Sequence, residues 1–254
     1  MVTFEFVYYL NSIMLVEVCV SSILSIQNAA AAGADRIELC AALEVGGLTP
    51  SWGLIKEAVA LDLLPIHCLI RPRQGHFTYS KSECNIIEQD IVRAKKMECA
   101  GVVVGALTSD FTLDLEVLRT WKRLAGEMKI TFHRAFDVVP KPEVALRQLI
   151  DLGFDCVLTS GQQEKALDGI ENLKRWNAEF GSQINIMPGS GVGVSNVERF
   201  KEAGFTSLHL SGGKDATPLS IPKGVNQELS FLHQSIRESD TETLRLVVQG
   251  FKSS

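Results

Sequence analysis

Three times this chain leaves an amphipathic segment through glycine and enters an apolar run in the same way: Ala32-Gly33-Ala34-Asp35, Leu152-Gly153-Phe154-Asp155 and Ala203-Gly204-Phe205. Glycine closes a helix in the left-handed conformation at little steric cost, so each echo reads as a helix stop followed by strand entry. The apolar runs fall at Leu15–Val20, Arg36–Cys40, Ile66–Arg71, Gly101–Ala106, Ile130–His133, Cys156–Thr159, Asn185–Met187 and Ser207–Leu210. Between them, apolar residues at helical spacing mark Ser22–Ala32, Pro50–Leu61, Ser82–Glu98, Leu113–Gly126, Pro142–Leu152, Glu164–Phe180 and Ser195–Ala203, with a last helix at Thr241–Gln249. Strands that alternate with helices across short connections pair in parallel. The chain's 254 residues suit a closed barrel of roughly 250. An open doubly wound sheet would favour a GxGxxG after its first strand, and Val20-Ser21-Ser22 offers none. The expected fold class is therefore α/β: a single (β/α)8 TIM barrel, a parallel eight-stranded closed sheet with outer helices. Residues 1–13 are expected to be an extension outside it and 14–254 the barrel domain. After Ser211 the chain reads as polar loop.

In such barrels the C-terminal strand ends carry function. Strands alternate faces, so Glu17 shares a face with Cys19, and Glu38 with Cys40, inside runs otherwise apolar. A buried carboxylate costs several kcal/mol unless it is paired or shifts its pKa, so a repeated Glu-x-Cys marks either a site or an internal ion pair with Arg36 or Arg71. Further strand ends bring Arg71 and Arg73, then His133, Arg134 and Asp137, then Thr159 and Ser160, and finally His209 and Ser211. Two histidines facing two glutamates can supply acid and base near neutral pH. Glu17, Glu38, His133, Asp137 and His209 are the catalytic candidates. Arginine forks suit carboxylate or phosphate. Glycine-rich turns after the seventh and eighth strands let backbone N–H groups approach an oxyanion. Arg36, Arg71, Arg73, Arg134, Ser160, Gly189, Gly191 and Ser211 are thus the anion-binding candidates. The same arginines can instead close an internal network with the acids.

The net charge of −5 and the absence of a basic block argue against nucleic acid and anionic membrane as partners. The apolar start, MVTFEFVYYLNSI, lacks a basic flank, carries Glu5 and is too short to span a bilayer. Six cysteines without CxxC spacing suggest a reducing compartment, hence a cytoplasmic protein. On neighbouring strands about 4.8 Å apart, Cys19 and Cys40 come within joint reach of one soft cation such as Cu(I), with Met187 as a further thioether. No HxH or HExxH points to zinc, and no organic cofactor is expected.

The blocks VEVCV, GADRIELCAAL, GGLTPS, IRPR, TFHRAFD, VLTSG, IMPG and LHLS follow one another as in the copper homeostasis protein CutC family, which the chain resembles from about Met14 to Ser211. That resemblance implies a cytoplasmic barrel linked to copper tolerance or trafficking, with Cys19 and Cys40 as candidate copper ligands. It also implies a homo-oligomer, a dimer or tetramer, and it matches Glu17, Arg36, Glu38, Arg71, Arg73, His133, Arg134, Asp137 and His209 to the family's barrel mouth. A copper carrier has no need of three arginines, two glutamates and two glycine turns. Two readings therefore stand: a Cu(I)-binding protein, and an enzyme using acid–base chemistry on a small phosphorylated, carboxylated or sugar-like molecule.

Overall fold

The computed structural model describes residues 14–253; the expectation for residues 1–13 lies outside them. Eight strands and eight helices alternate: β1 (Leu15–Val20), α1 (Ile23–Ala32), β2 (Arg36–Leu39), α2 (Trp52–Ala60), β3 (Ile66–Leu69), α3 (Lys81–Lys96), β4 (Gly101–Val104), α4 (Leu115–Ala125), β5 (Lys129–Phe132), α5 (Pro142–Asp151), β6 (Cys156–Thr159), α6 (Ile170–Phe180), β7 (Asn185–Pro188), α7 (Val197–Glu202), β8 (Ser207–Leu210) and, at the end, α8 (Thr241–Lys252). The glycine echo has its expected cause, since Gly33, Gly153 and Gly204 all take positive φ, between 74° and 85°. Side chains hold other ends: Ser22 caps α1, Ser80 and Glu83 form a capping box on α3, and Asp240 caps α8.

All eight barrel strands pair in parallel, in the order β7-β6-β5-β4-β3-β2-β1-β8. The sheet is nearly closed: β7 and β8 lie side by side without a backbone ladder. At that seam the Ser207 hydroxyl donates to Asn185 Oδ1 at 2.8 Å. Two departures from the sequence reading have local causes. Helix α6 begins at Ile170 rather than Glu164, because Ala166 N–H donates to Ser190 O and ties the preceding turn to the β7–α7 loop. The tail is not all loop: β9 (Gly213–Asp215) and β10 (Arg237–Ser239) form an antiparallel pair. Ser22 and Ser25 hydroxyls both donate to Glu238 of β10 and pin that pair against α1.

The core divides by chemistry. Between sheet and helices lie Trp121, Trp176, Phe132, Phe136, Phe200, Phe205 and Phe251, all fully buried. Inside the barrel the apolar groups form only two small clusters, Cys19–Cys40–Leu69–Val103 and Cys156–Leu158–Met187. The inward positions of the paired strands otherwise carry buried polar groups: Glu17, Glu38, His67, Thr131, His133 and His209. A jacket of large side chains supplies the stability and leaves the lumen free for chemistry.

Candidate functional site at the barrel mouth

A cavity of about 580 Å³ opens above the lumen, and its walls include Cys19, Glu38, Leu69, Arg71, His133 and His209. Register explains the gathering, because Glu17 lies beside both Arg36 and His209, and Cys19 lies beside Glu38, on three adjacent strands.

Glu17 is fully buried and fully used. Its Oε2 accepts from Arg36 Nε at 2.6 Å and its Oε1 accepts from His209 Nδ1 at 2.8 Å. Burial pushes its carboxyl up, but Arg36 and then His209 outweigh that and hold it well below the usual carboxylate range. Glu38 differs. Its Oε2 is buried without a partner, and burial, reinforced by Glu17, pushes the carboxyl up to about 7. His209 is opposed by burial, yet Cys19, Glu38 and Glu17 around it hold it well above the ordinary imidazole value. These surroundings favour the ionised form of Glu17 and the protonated form of His209, and disfavour the ionised form of Glu38.

His133 is the opposite kind of histidine. Its Nδ1 accepts the Ala135 N–H at 3.1 Å, so the neutral ring carries its proton on Nε2, which is buried and unpartnered. Burial and nearby Arg71 bring its pKa down to about 3. Its ring lies against Gly105, where a Cβ would come within 2.4 Å of Cε1, so no other residue fits there.

The arginines divide. Arg36 belongs to Glu17 and also donates to Met187 Sδ at 3.7 Å. Arg71 is buried and, among the described residues, meets no carboxylate: Nη1 donates to Val45 O and Gly47 O, Nη2 to Gly75 O, and Nε has no hydrogen-bond partner, with the Tyr79 side chain beside the guanidinium. Arg73 does not line the cavity; it pairs with Glu83 and donates to the carbonyls of Gln74, His76 and Thr78, bracing its own loop. Arg134 lines the cavity but is engaged by Asp137 and Ser160. Asp137, in turn, accepts from Thr159, from Ser160 and from the Gln162 N–H, which leaves it a fastener of the β5 and β6 loops. Of the glycine turns, Ser190, Gly191 and Ser211 line the cavity. Gly189 lies beneath it, packed on Leu158 and His209.

The thiols share one lumen cluster, but only Cys19 lines the cavity. Cys40 is fully buried, its Sγ donates to Val20 O at 3.3 Å, and burial pushes its thiol well up. Met187 lies in the other lumen cluster with Cys156 and Leu158, so the expected thioether does not join the pair. Glu17, Glu38 and His209 each offer one ligand atom, all within 4.8 Å of one another. That oxygen and nitrogen set is harder than Cu(I) favours. Phe77 went unmarked in sequence: it lines the cavity, its ring lies 4.8 Å from that of His133, and the Arg71 guanidinium sits 5.1 Å from it. A lone aromatic in the loop QGHFTYS carries no signal of its own.

Among the described residues, no helix is long and apolar enough to cross a membrane. The profile of the CutC family matches residues 14–214. The family protein CutC of Pasteurella multocida (strain Pm70) is 42% identical over 238 residues, 92% of this chain and 97% of that one. Its counterpart in Agrobacterium fabrum (strain C58 / ATCC 33970) is 39% identical over 232 residues, 91% of this chain and 92% of that one. A crystal structure from Streptococcus agalactiae, of a protein named for copper homeostasis as CutC, superposes with a TM-score of 0.74 at 33% identity, covering 78% of this chain and 99% of that one. A family match over most of the barrel, with relatives of this identity along nearly the whole length, makes the chain a member of the CutC family.

Proposed function

We propose that the barrel mouth binds a small anionic or sugar-like molecule and acts on it by acid–base chemistry, with Glu38 as base, protonated His209 as acid and Glu17 holding His209 in place. One observation carries this reading: Glu38 lines the cavity and keeps a buried carboxylate oxygen, Oε2, without a hydrogen-bond partner among the described residues. A structural network satisfies its members, as it does Glu17, and a lone buried carboxylate is costly to keep. Its pKa of about 7 suits proton transfer at neutral pH. Arg71, Ser190, Gly191 and Ser211 supply donors around the same space. Carbon-detected NMR of the Glu38 carboxyl tests the base directly. The expected midpoint is near pH 7, and one near the ordinary 4.5 contradicts the assignment.

A second reading, Cu(I) as cargo on Cys19 and Cys40, is favoured by the two thiols sharing one lumen cluster and by the name of the Streptococcus agalactiae relative. It predicts about one Cu(I) per reduced chain, with Cys19→Ser or Cys40→Ser sharply weakening binding. Unchanged affinity in the double variant removes these thiols from copper handling. Either reading is set in the cytoplasm, where six free thiols stay reduced. It is also set in a homo-oligomer, dimer or tetramer, which light scattering measures.

A further inference from the structure

We infer that the substrate of this pocket is a carbonyl compound, and that neutral His133, donating from Nε2–H beside Arg71 Nε–H, holds the carbonyl oxygen as it becomes an oxyanion while Glu38 takes a proton from the adjacent carbon. The inference rests on the small-molecule reading above and names its reaction class.

His133 and Arg71 both line the cavity, and His133 Nε2 and Arg71 Nε are each buried without a hydrogen-bond partner among the described residues, the Tyr79 side chain lying beside Arg71. Both donors belong to side chains already fixed at their other nitrogens. The Ala135 N–H fixes the His133 ring, and the carbonyls of Val45, Gly47 and Gly75 fix the Arg71 guanidinium. Donors held in place before any ligand arrives are what stabilise a developing negative charge, because they need not reorganise when it forms. A buried donor left without a partner is costly in the free protein. Phe77 packs against both groups, its ring 4.8 Å from that of His133 and 5.1 Å from the Arg71 guanidinium, and both nitrogens are buried, so a substrate oxygen must displace a neighbouring side chain to meet them.

Neutrality of the imidazole matters. Imidazolium would protonate the oxygen outright, whereas a neutral N–H offers a hydrogen bond matched to an enolate. The step balances within the site. The C–H bond breaks and its proton goes to the Glu38 carboxylate, the electron pair becomes a C=C bond, and the former C=O pair moves onto the oxygen held by His133 and Arg71. Return of the proton to the same carbon gives exchange or inversion; where that carbon bears a hydroxyl, return to the former carbonyl carbon, with the hydroxyl proton passing to the oxyanion, gives isomerisation. No oxidant or reductant is required.

The test uses the full chain with hydroxypyruvate, D-erythrulose and hydroxyacetone phosphate, which offer the same carbonyl with a carboxylate, a neutral polyol and a phosphate. Melting-temperature shift reports binding, and proton NMR in D2O reports loss of the hydrogen next to the carbonyl. At least one probe is expected to raise the melting temperature and to exchange its proton far faster than in buffer. Exchange should fall about 100-fold in His133→Asn, which keeps an acceptor for the Ala135 N–H but loses the Nε2 donor, with binding little changed. His133→Phe, which keeps the ring, should match it. Binding without exchange, or exchange indifferent to both His133 variants, overturns the inference and leaves the pocket reading standing. If no probe binds, the pocket reading falls and the inference with it.

Discussion

Glu17 and Glu38 are the same side chain on adjacent strands, and their neighbours make them chemically different. Arg36 and His209 take both oxygens of Glu17, while Glu38 keeps a free one. The difference has a signature in stability. The folded-state pKa of Glu38 is raised, from 4.5 to about 7, so the folded form binds that proton more tightly than the unfolded chain does. Its contribution is fully present below about pH 4.5 and is lost as pH rises through 7, roughly 3 kcal/mol in all. Glu38→Gln removes the loss. Urea denaturation at pH 5 and pH 8.5 is expected to show the variant gaining about 2.5 kcal/mol on wild type between the two, part of the effect being already lost at pH 5. An equal pH dependence in both proteins contradicts a buried, unpaired Glu38. The alternation of side chains along a strand is enough, from sequence alone, to place both glutamates inside the barrel. Which arginine meets which acid was not legible there, because it depends on side-chain reach between strands distant in sequence.

Elements were legible where local chemistry decides them. The three glycine stops and the short apolar runs set the barrel units, since a left-handed residue ends a helix whatever surrounds it. The late start of α6 was hidden because a long-range bond to Ser190 O sets it. The β9–β10 pair was hidden because its strands are three polar residues each, pinned by serines from α1. The loop after β3 shows two arginines, on either side of Pro72, doing unlike work. Arg71 closes the cavity wall, while Arg73 staples Gln74, His76 and Thr78 to Glu83. Arg73→Ala is therefore expected to speed amide hydrogen exchange from Gln74 to Thr78 while leaving the barrel strands protected. Slowed exchange there, or loss of protection across β1–β4, contradicts a role confined to that loop.

At the scale of the whole molecule, the protein separates stability from chemistry. Large aromatic side chains fill the layer between sheet and helices, and the lumen is given over to glutamates, histidines and thiols. The division was visible in sequence as polar residues at strand ends that a purely structural barrel would fill with Val or Leu. The near-closure at β7–β8 was not, because a seam without a ladder leaves no periodic trace. On the function proposed above, this polar lumen serves a small molecule at the mouth. Equilibrium dialysis of the full chain against a small-molecule cell extract, with the retained compounds identified by mass spectrometry, tests it most directly. Wild type is run beside Ser211→Trp, which fills the cavity from an exposed position on its rim. Wild type is expected to retain at least one carbonyl-bearing anion or sugar that the variant releases. Retention of nothing, or of the same compounds by both proteins, would contradict that function.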